Sequence, residues 1–314
     1  MDNLLLSIEI VFPTIIIMMF GWLLNRLGCF SKEFVKGGTW FSFNVAVPIA
    51  IFLSLQDQDL GAFFNARLVL YMVLGVSVSG LLLTWIVPRF VEDKPKAAAM
   101  AQGMFRANFS VQGLPMLTKT YGAENIAPGA VTFPFLVVAN NVVGTLMYVL
   151  IIPEQGGGAV KKALKKLVKN PLIIGSVAGV LAAALKLQLP SVVLDAAKQI
   201  GGIGTPLILV CLGAEIDFAN LRRNFRYTIP TTIVRLLVVP GLLTLGGALL
   251  GFRGIELGTI YLFNASCTVV AGYVMAAAMG GDTAIAAESL GLTALFSSVT
   301  VTLGLTVLLN LGLI

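Results

Sequence analysis

The sequence predicts an all-α polytopic membrane protein: ten transmembrane helices as two inverted five-helix repeats, with broken crossover helices in spans four and nine. Three observations carry that expectation. Of the 314 residues, 57% are apolar and 11% charged, and the mean hydropathy is +0.93, which leaves too little charge to cover a soluble domain of this size. Apolar runs of about 20 residues, enough to cross roughly 30 Å of hydrocarbon, recur along the whole length and leave no room for a soluble domain. An ordered set of prolines, glycines and acids in the first half returns in the second.

The spans are expected at about 4 to 25, 38 to 55, 67 to 88, 98 to 119, 127 to 152, 170 to 187, 199 to 215, 227 to 250, 256 to 279 and 284 to 313. The first follows an acidic start, Asp2, with no small-residue cleavage pattern after it, and reads as a retained helix. The fifth ends at a cytoplasmic linker, 153–169, holding Gly156-Gly157-Gly158 and then Lys161, Lys162, Lys165, Lys166 and Lys169. It divides 1–152, the first repeat, from 170–314, the second.

A shift of 158 residues superposes Pro13 on Pro171, Gly21 on Gly179, Pro48 on Pro206, Asp57 on Glu215, Asp59 on Asp217 and Glu124 on Asp282. Asn108 and Ser110 meet Asn264 and Ser266 at a shift of 156, so a two-residue length change falls between neighbouring landmarks. With five spans per half, the second half enters the membrane from the opposite side, and the repeat is inverted. Loop charge sets the orientation. With both termini outside, 14 basic residues lie inside: Arg26, Lys32, Lys36, Arg89, Lys94, Lys96, the five linker lysines, Arg222, Arg223 and Arg226. Only five, Arg67, Lys119, Lys186, Lys198 and Arg253, lie outside, while Arg106 and Arg235 fall within spans. The net charge of +6 thus reflects topology and gives no reason to expect nucleic acid as a partner.

The chemistry concentrates in span four, at Phe105-Arg106-Ala107-Asn108-Phe109-Ser110-Val111-Gln112-Gly113-Leu114-Pro115. Pro115 has no N–H to give, and its ring presses the carbonyl four residues back, freeing that of Val111. Such a break survives at membrane depth only where protein or a water-filled cavity surrounds it. In span nine, Tyr261-Leu262-Phe263-Asn264-Ala265-Ser266 repeats the aromatic, Asn and Ser at the same spacing, with Ala271-Gly272 where the first copy has its proline. There the break would come from glycine alone. Two breaks meeting in mid-membrane would offer half-helix charges and unpaired amides to a solute.

The expected substrate site is therefore Arg106, Asn108, Ser110 and Pro115 with Asn264, Ser266 and Gly272. Against it stands a plainer reading, a packing kink with interhelical hydrogen bonds. Arg106 either snorkels to the nearer surface or serves the cavity as an anion counter-charge. Arg235 lies too deep in span eight to snorkel easily and needs a partner. Glu288 in span ten is the one expected, as a structural pair, the alternative being a Glu288 that takes up a proton as substrate moves. Asn140 and Asn141 in span five correspond to Ser297 and Ser298 in span ten, and either line the cavity or join packed helices. The acids Asp57, Asp59, Glu215 and Asp217 fall at span ends and read as solvated. Gly201-Gly202-Ile203-Gly204 suits close helix approach and not phosphate, since no Walker lysine follows. Cys29, Cys211 and Cys267 are widely spaced and there is no histidine, so no disulfide framework, metal or cofactor is expected.

In these features the chain resembles the auxin efflux carrier family, within the larger group that includes the bile acid sodium symporters. The resemblance rests on the ten spans in inverted fives, Asn108 and Pro115 in span four, Asn264 in span nine and Asn170-Pro171 opening span six. The short central linker is like that of bacterial members. The resemblance implies a homodimer in the bacterial inner membrane, with spans one, two, six and seven as scaffold and the others as an elevator-like moving unit. It implies a substrate site where helices four and nine cross, and carboxylate substrates such as auxin, malonate or malate. The chain departs from the pattern at Ala271-Gly272, where a second proline would stand, and it has no acid in the span-nine crossover to support a sodium site.

The expectation is thus a secondary carrier of a small organic anion, embedded in the lipid bilayer. A sodium-coupled symporter of the bile acid type is the rival within transport, and a membrane sensor or scaffold the rival outside it. An enzyme is not expected, since neither H-E-x-x-H nor G-x-S-x-G is present.

Overall fold

The computed structural model describes residues 13, 16–56, 65–122, 125, 127–152, 168–214 and 218–314, with backbone alone at 110–111, 127–128, 130 and 218–223. Asp57, Asp59, Glu124, Glu215, Asp217, the start of the first span and nearly all of the linker lie outside the described residues. The described chain is helical, and six helices are long and apolar enough to cross a membrane. We number the elements α1 (Ile16–Arg26), α2 (Lys32–Gln56), α3 (Ala66–Phe90), α4 (Lys94–Phe105), α5 (Leu114–Tyr121) and α6 (Ala127–Ile151). The second half holds α7 (Pro171–Ala184), α8 (Ser191–Ala214), α9 (Phe218–Ile233, continuing to Leu249), α10 (Gly254–Ala265), α11 (Val270–Met279) and α12 (Thr283–Asn310).

Polar caps decide where several helices start. The side chains of Asn65, Asp93, Asn170 and Asp282 each accept a backbone N–H in the first turn that follows, and Pro95 and Pro171 stand where a missing N–H costs nothing. α8 begins at Ser191, earlier than the expected 199, because Asp195 and Lys198 end the apolar run without ending the helix. Three turns widen to π geometry, Ser42–Ala46, Phe109–Gly113 and Val234–Val238, and each ends two residues before a proline, Pro48, Pro115 or Pro240. A proline there cannot bond the carbonyl four residues back, and a wider turn lets a later N–H reach it or its neighbour. Pro134 and Pro206 sit inside α6 and α8 without such a turn, so proline permits the widening but does not impose it.

Two sets of helices pack internally. α2 lies against α7 and α8, while α3, α4 and α6 form one neighbourhood and α9, α10 and α12 another, joined through α4. Close approach rests on glycine at two matched places: a β-carbon at Gly21 would strike the Val210 carbonyl, and one at Gly179 would crowd the Phe52 carbonyl. The 158-residue shift relates these two contacts to each other. Outward, α3 exposes Leu70, Leu74, Val78, Leu82 and Trp85, an apolar stripe that suits hydrocarbon and not water.

The two ends of the bundle differ. Lys32, Lys36 and Thr283 line one recess, Asp282 N–H bonds the Pro95 carbonyl, and Lys96 and Arg226 both lie over Tyr227, which gathers these basic residues at one end. There the Lys96 ammonium beside Asp93 holds that carboxyl below its ordinary range. At the other end Arg67 donates to the Leu250 carbonyl, and Gly254 N–H bonds the carbonyl of Leu313, next to the C-terminus.

Candidate functional site

The two breaks lie side by side. α4 ends at Phe105, Arg106 to Asn108 run extended, and a π turn leads into α5; α10 ends at Ala265, and an extended stretch through Val269 leads into α11. A single antiparallel bridge joins Ala107 to Thr268, with Asn108 N–H on the Cys267 carbonyl at 2.9 Å and the Thr268 hydroxyl on the Arg106 carbonyl at 3.1 Å. Gln112 completes the join, accepting from Cys267 N–H at 2.6 Å and donating to the Ser297 hydroxyl at 2.9 Å. Each break thus supplies the partners that the other's freed backbone needs at membrane depth.

The sequence-derived positions of the breaks need correction. The first lies at Arg106–Asn108, seven residues ahead of Pro115, and Pro115 occupies the first turn of α5. The second precedes Ala271-Gly272 and does not depend on glycine; Gly272 is already helical. Pairing between the two segments stabilises the extended backbone, a tertiary cause that neither proline nor glycine reports.

A cavity of about 250 Å³ opens beside the bridge. Its floor is Arg106, Ala107, Asn108 and Phe109; Asn140 and Asn141 of α6, Ser54 of α2, Thr205 of α8 and the start of α11 at Val269–Ala271 form the walls. No side chain caps the first turn of α11, which lies on this wall with its positive dipole end; Gly272 N–H bonds the Val269 carbonyl at 2.9 Å. Arg106 is buried, 3% exposed, and donates through Nη2 to the Asn141 side-chain oxygen, while its Nε has no hydrogen-bond partner. Asn141 in turn donates to the Ser176 hydroxyl of α7 at 2.8 Å, and the Asn140 side-chain oxygen is buried without a partner. Among the described residues, no carboxylate lines this cavity.

The other candidates serve elsewhere. Asn264 is fully buried and donates to the Ile260 carbonyl at 2.8 Å, and Ser266 donates to the Phe263 carbonyl at 2.8 Å, so both turn back on α10 and neither lines the cavity. The side chain of Ser110 lies outside the described residues. Arg235 is not paired with Glu288. Its three guanidinium nitrogens donate to the carbonyls of Ser266 (3.2 Å), Phe105 (2.7 Å) and Asn264, while Glu288 accepts from Asn224 at 2.9 Å. The partial negative charge of two helix C-termini does what a carboxylate was expected to do. Sequence reasoning passed over Gln112 as a site residue and missed Ser54 and Thr205 altogether; a lone polar residue in an apolar span was the only signal.

Comparison with known proteins bears on the whole chain. A family described as membrane transport protein matches residues 6–305. An uncharacterized transporter of Methanothermobacter thermautotrophicus is 24% identical over 264 residues, covering 82% of this chain and 83% of that one. A second uncharacterized transporter, of Methanocaldococcus jannaschii, is 22% identical over 314 residues, 98% of this chain and all of the other. The chain belongs to this family of membrane transport proteins, the auxin efflux carrier family that its two broken spans resemble.

Proposed function

We propose that the chain is a secondary carrier of a small organic anion, a carboxylate or dicarboxylate, bound beside Arg106. One observation carries the reading: a buried guanidinium faces a cavity, and among the described residues no carboxylate lines that cavity or lies within ion-pair distance of the guanidinium. A charge so placed costs several kcal/mol unless a counter-charge joins it. A substrate carboxylate would take the unpaired Nε of Arg106 and meet the positive dipole end of α11, with Asn108 and Asn140 as further hydrogen-bonding groups. Substrate in this pose is held by groups that water would otherwise serve less well in a low-dielectric site. The cavity of about 250 Å³ falls just below the usual range of ligand pockets, which starts at about 300 Å³, and so favours short acids over a bile acid.

The wider reading is ten spans, α4 with α5 and α10 with α11 each counting as one interrupted span, in two inverted fives. The glycine contacts related by the 158-residue shift support it. The gathering of basic residues at the end opposite Leu313 supports a C-terminus outside; the inner (plasma) membrane of a bacterium is the setting that the family resemblance implies. In this reading α1, α2, α7 and α8 form a scaffold, in a homodimer, and the remaining helices move past it. The Asn141–Ser176 hydrogen bond, which spans the two sets, would break and re-form in each cycle. Uptake of labelled malonate, malate and indole-3-acetate into proteoliposomes tests the proposal. Saturable uptake of at least one acid, abolished by Arg106→Met, is expected; a protein that binds an acid but never moves it would instead be a sensor.

A further inference from the structure

Carriers built on interrupted helices commonly hold a coupling cation at the carbonyls of half-helix C-terminal ends, where the helix dipole is negative. In this chain that position is filled. The carbonyls that end α4 and α10, those of Phe105, Asn264 and Ser266, converge on one guanidinium, and each of its three nitrogens donates to one of them. Arg235 is fully buried, reaches the breaks from the π turn of α9, and has no acid within ion-pair distance among the described residues. Its charge is therefore balanced by the carbonyls themselves. With both C-terminal ends neutralised from behind, the charged or dipolar ends that the described residues turn to the cavity, Arg106 and the start of α11, are positive, beside neutral amides and hydroxyls.

We propose that Arg235 is a tethered cation standing where a coupling sodium ion would otherwise bind, so that the anion site of this carrier is complete without sodium. The inference rests on the carrier reading for its meaning, but its structural content, carbonyls that require a cation, is tested without any organic anion. Loss of the guanidinium would leave three buried carbonyl oxygens without that donor, and hard oxygen acceptors of this kind call for a small hard cation or a free guanidinium ion in its place.

The test is thermal unfolding of the purified full chain in sodium, potassium and choline chloride at equal ionic strength, with no organic acid present. Wild type is expected to melt at the same temperature in all three. Arg235→Ala is expected to melt several degrees lower in choline and to recover much of that shift with low millimolar guanidinium or with sodium. Arg235→Lys, which keeps the charge, is expected to remain indifferent to sodium. A wild type stabilised by sodium over choline overturns the proposal. So does a monodisperse Arg235→Ala that gains nothing from guanidinium or sodium. Should the alanine variant fail to fold, the wild-type comparison and the lysine variant decide, and a lysine variant stabilised by sodium overturns it. If no organic acid binds wild type, the carrier reading fails while these outcomes stand.

Discussion

The two breaks carry the same aromatic, asparagine and serine at the same spacing, yet they do different work. The first turns Arg106 and Asn108 toward the cavity; the second turns Asn264 and Ser266 back onto α10 and lends its carbonyls to Arg235. The two arginines divide in the same way. Arg235 has a hydrogen-bond acceptor for every guanidinium nitrogen, whereas Arg106 has an orphan Nε. A motif that occurs twice thus places one copy at the cavity and turns the other back on its own helix, and matched residues do not imply matched surroundings.

Replacing the arginines should separate these roles most sharply. Arg235→Met removes three charge-assisted hydrogen bonds and strands three buried carbonyls, so a loss on the order of 3–5 kcal/mol is expected, read by thermal unfolding. Arg106→Met should do the reverse. It removes a buried charge with no acid beside it among the described residues, so unliganded stability is expected to hold or rise, while affinity for the anion falls by about 100-fold, roughly 2.7 kcal/mol, in a binding titration. Equal destabilisation by both variants would erase the distinction between brace and binder.

Smaller effects sharpen the comparison. Gly21→Ala and Gly179→Ala should each cost about 1–3 kcal/mol by forcing helices apart, whereas Gly202→Ala, with nothing within 4 Å, should be neutral or mildly stabilising. Unequal costs at Gly21 and Gly179 would weaken the case for related halves. Asn108→Ala is expected to raise KM by about tenfold, near 1.4 kcal/mol, and Asn264→Ala to leave KM within about twofold while lowering the melting temperature. A KM effect at Asn264 equal to that at Asn108 would argue for a site that both breaks share symmetrically.

Much of the fold was legible because burial in lipid imposes simple rules. Apolar runs gave the helices, Asn170-Pro171 gave a capped start, and the Asn108 and Asn264 motifs marked where the two breaks meet. What was not legible depends on tertiary pairing. Proline and glycine pointed to Pro115 and Gly272, but the extended backbone lies where Ala107 and Thr268 satisfy each other, and neither residue type announces that. Charge logic likewise sought an acid for Arg235. The actual acceptors are main-chain carbonyls, which every sequence contains and none displays. The orientation of Asn264 was hidden for a similar reason, since a short amide in a helix can bond its own preceding turn.

The most direct measurement is thermal unfolding of wild type and Arg106→Met against malonate, malate, succinate and indole-3-acetate in sodium-free buffer. A ligand at a hundredfold excess over its Kd adds about 2.7 kcal/mol to the folded state, enough to register. The account predicts that at least one of these acids raises the melting temperature of wild type and that the shift disappears in Arg106→Met. A shift of the same size in Arg106→Met, or none with any acid in wild type, would contradict it.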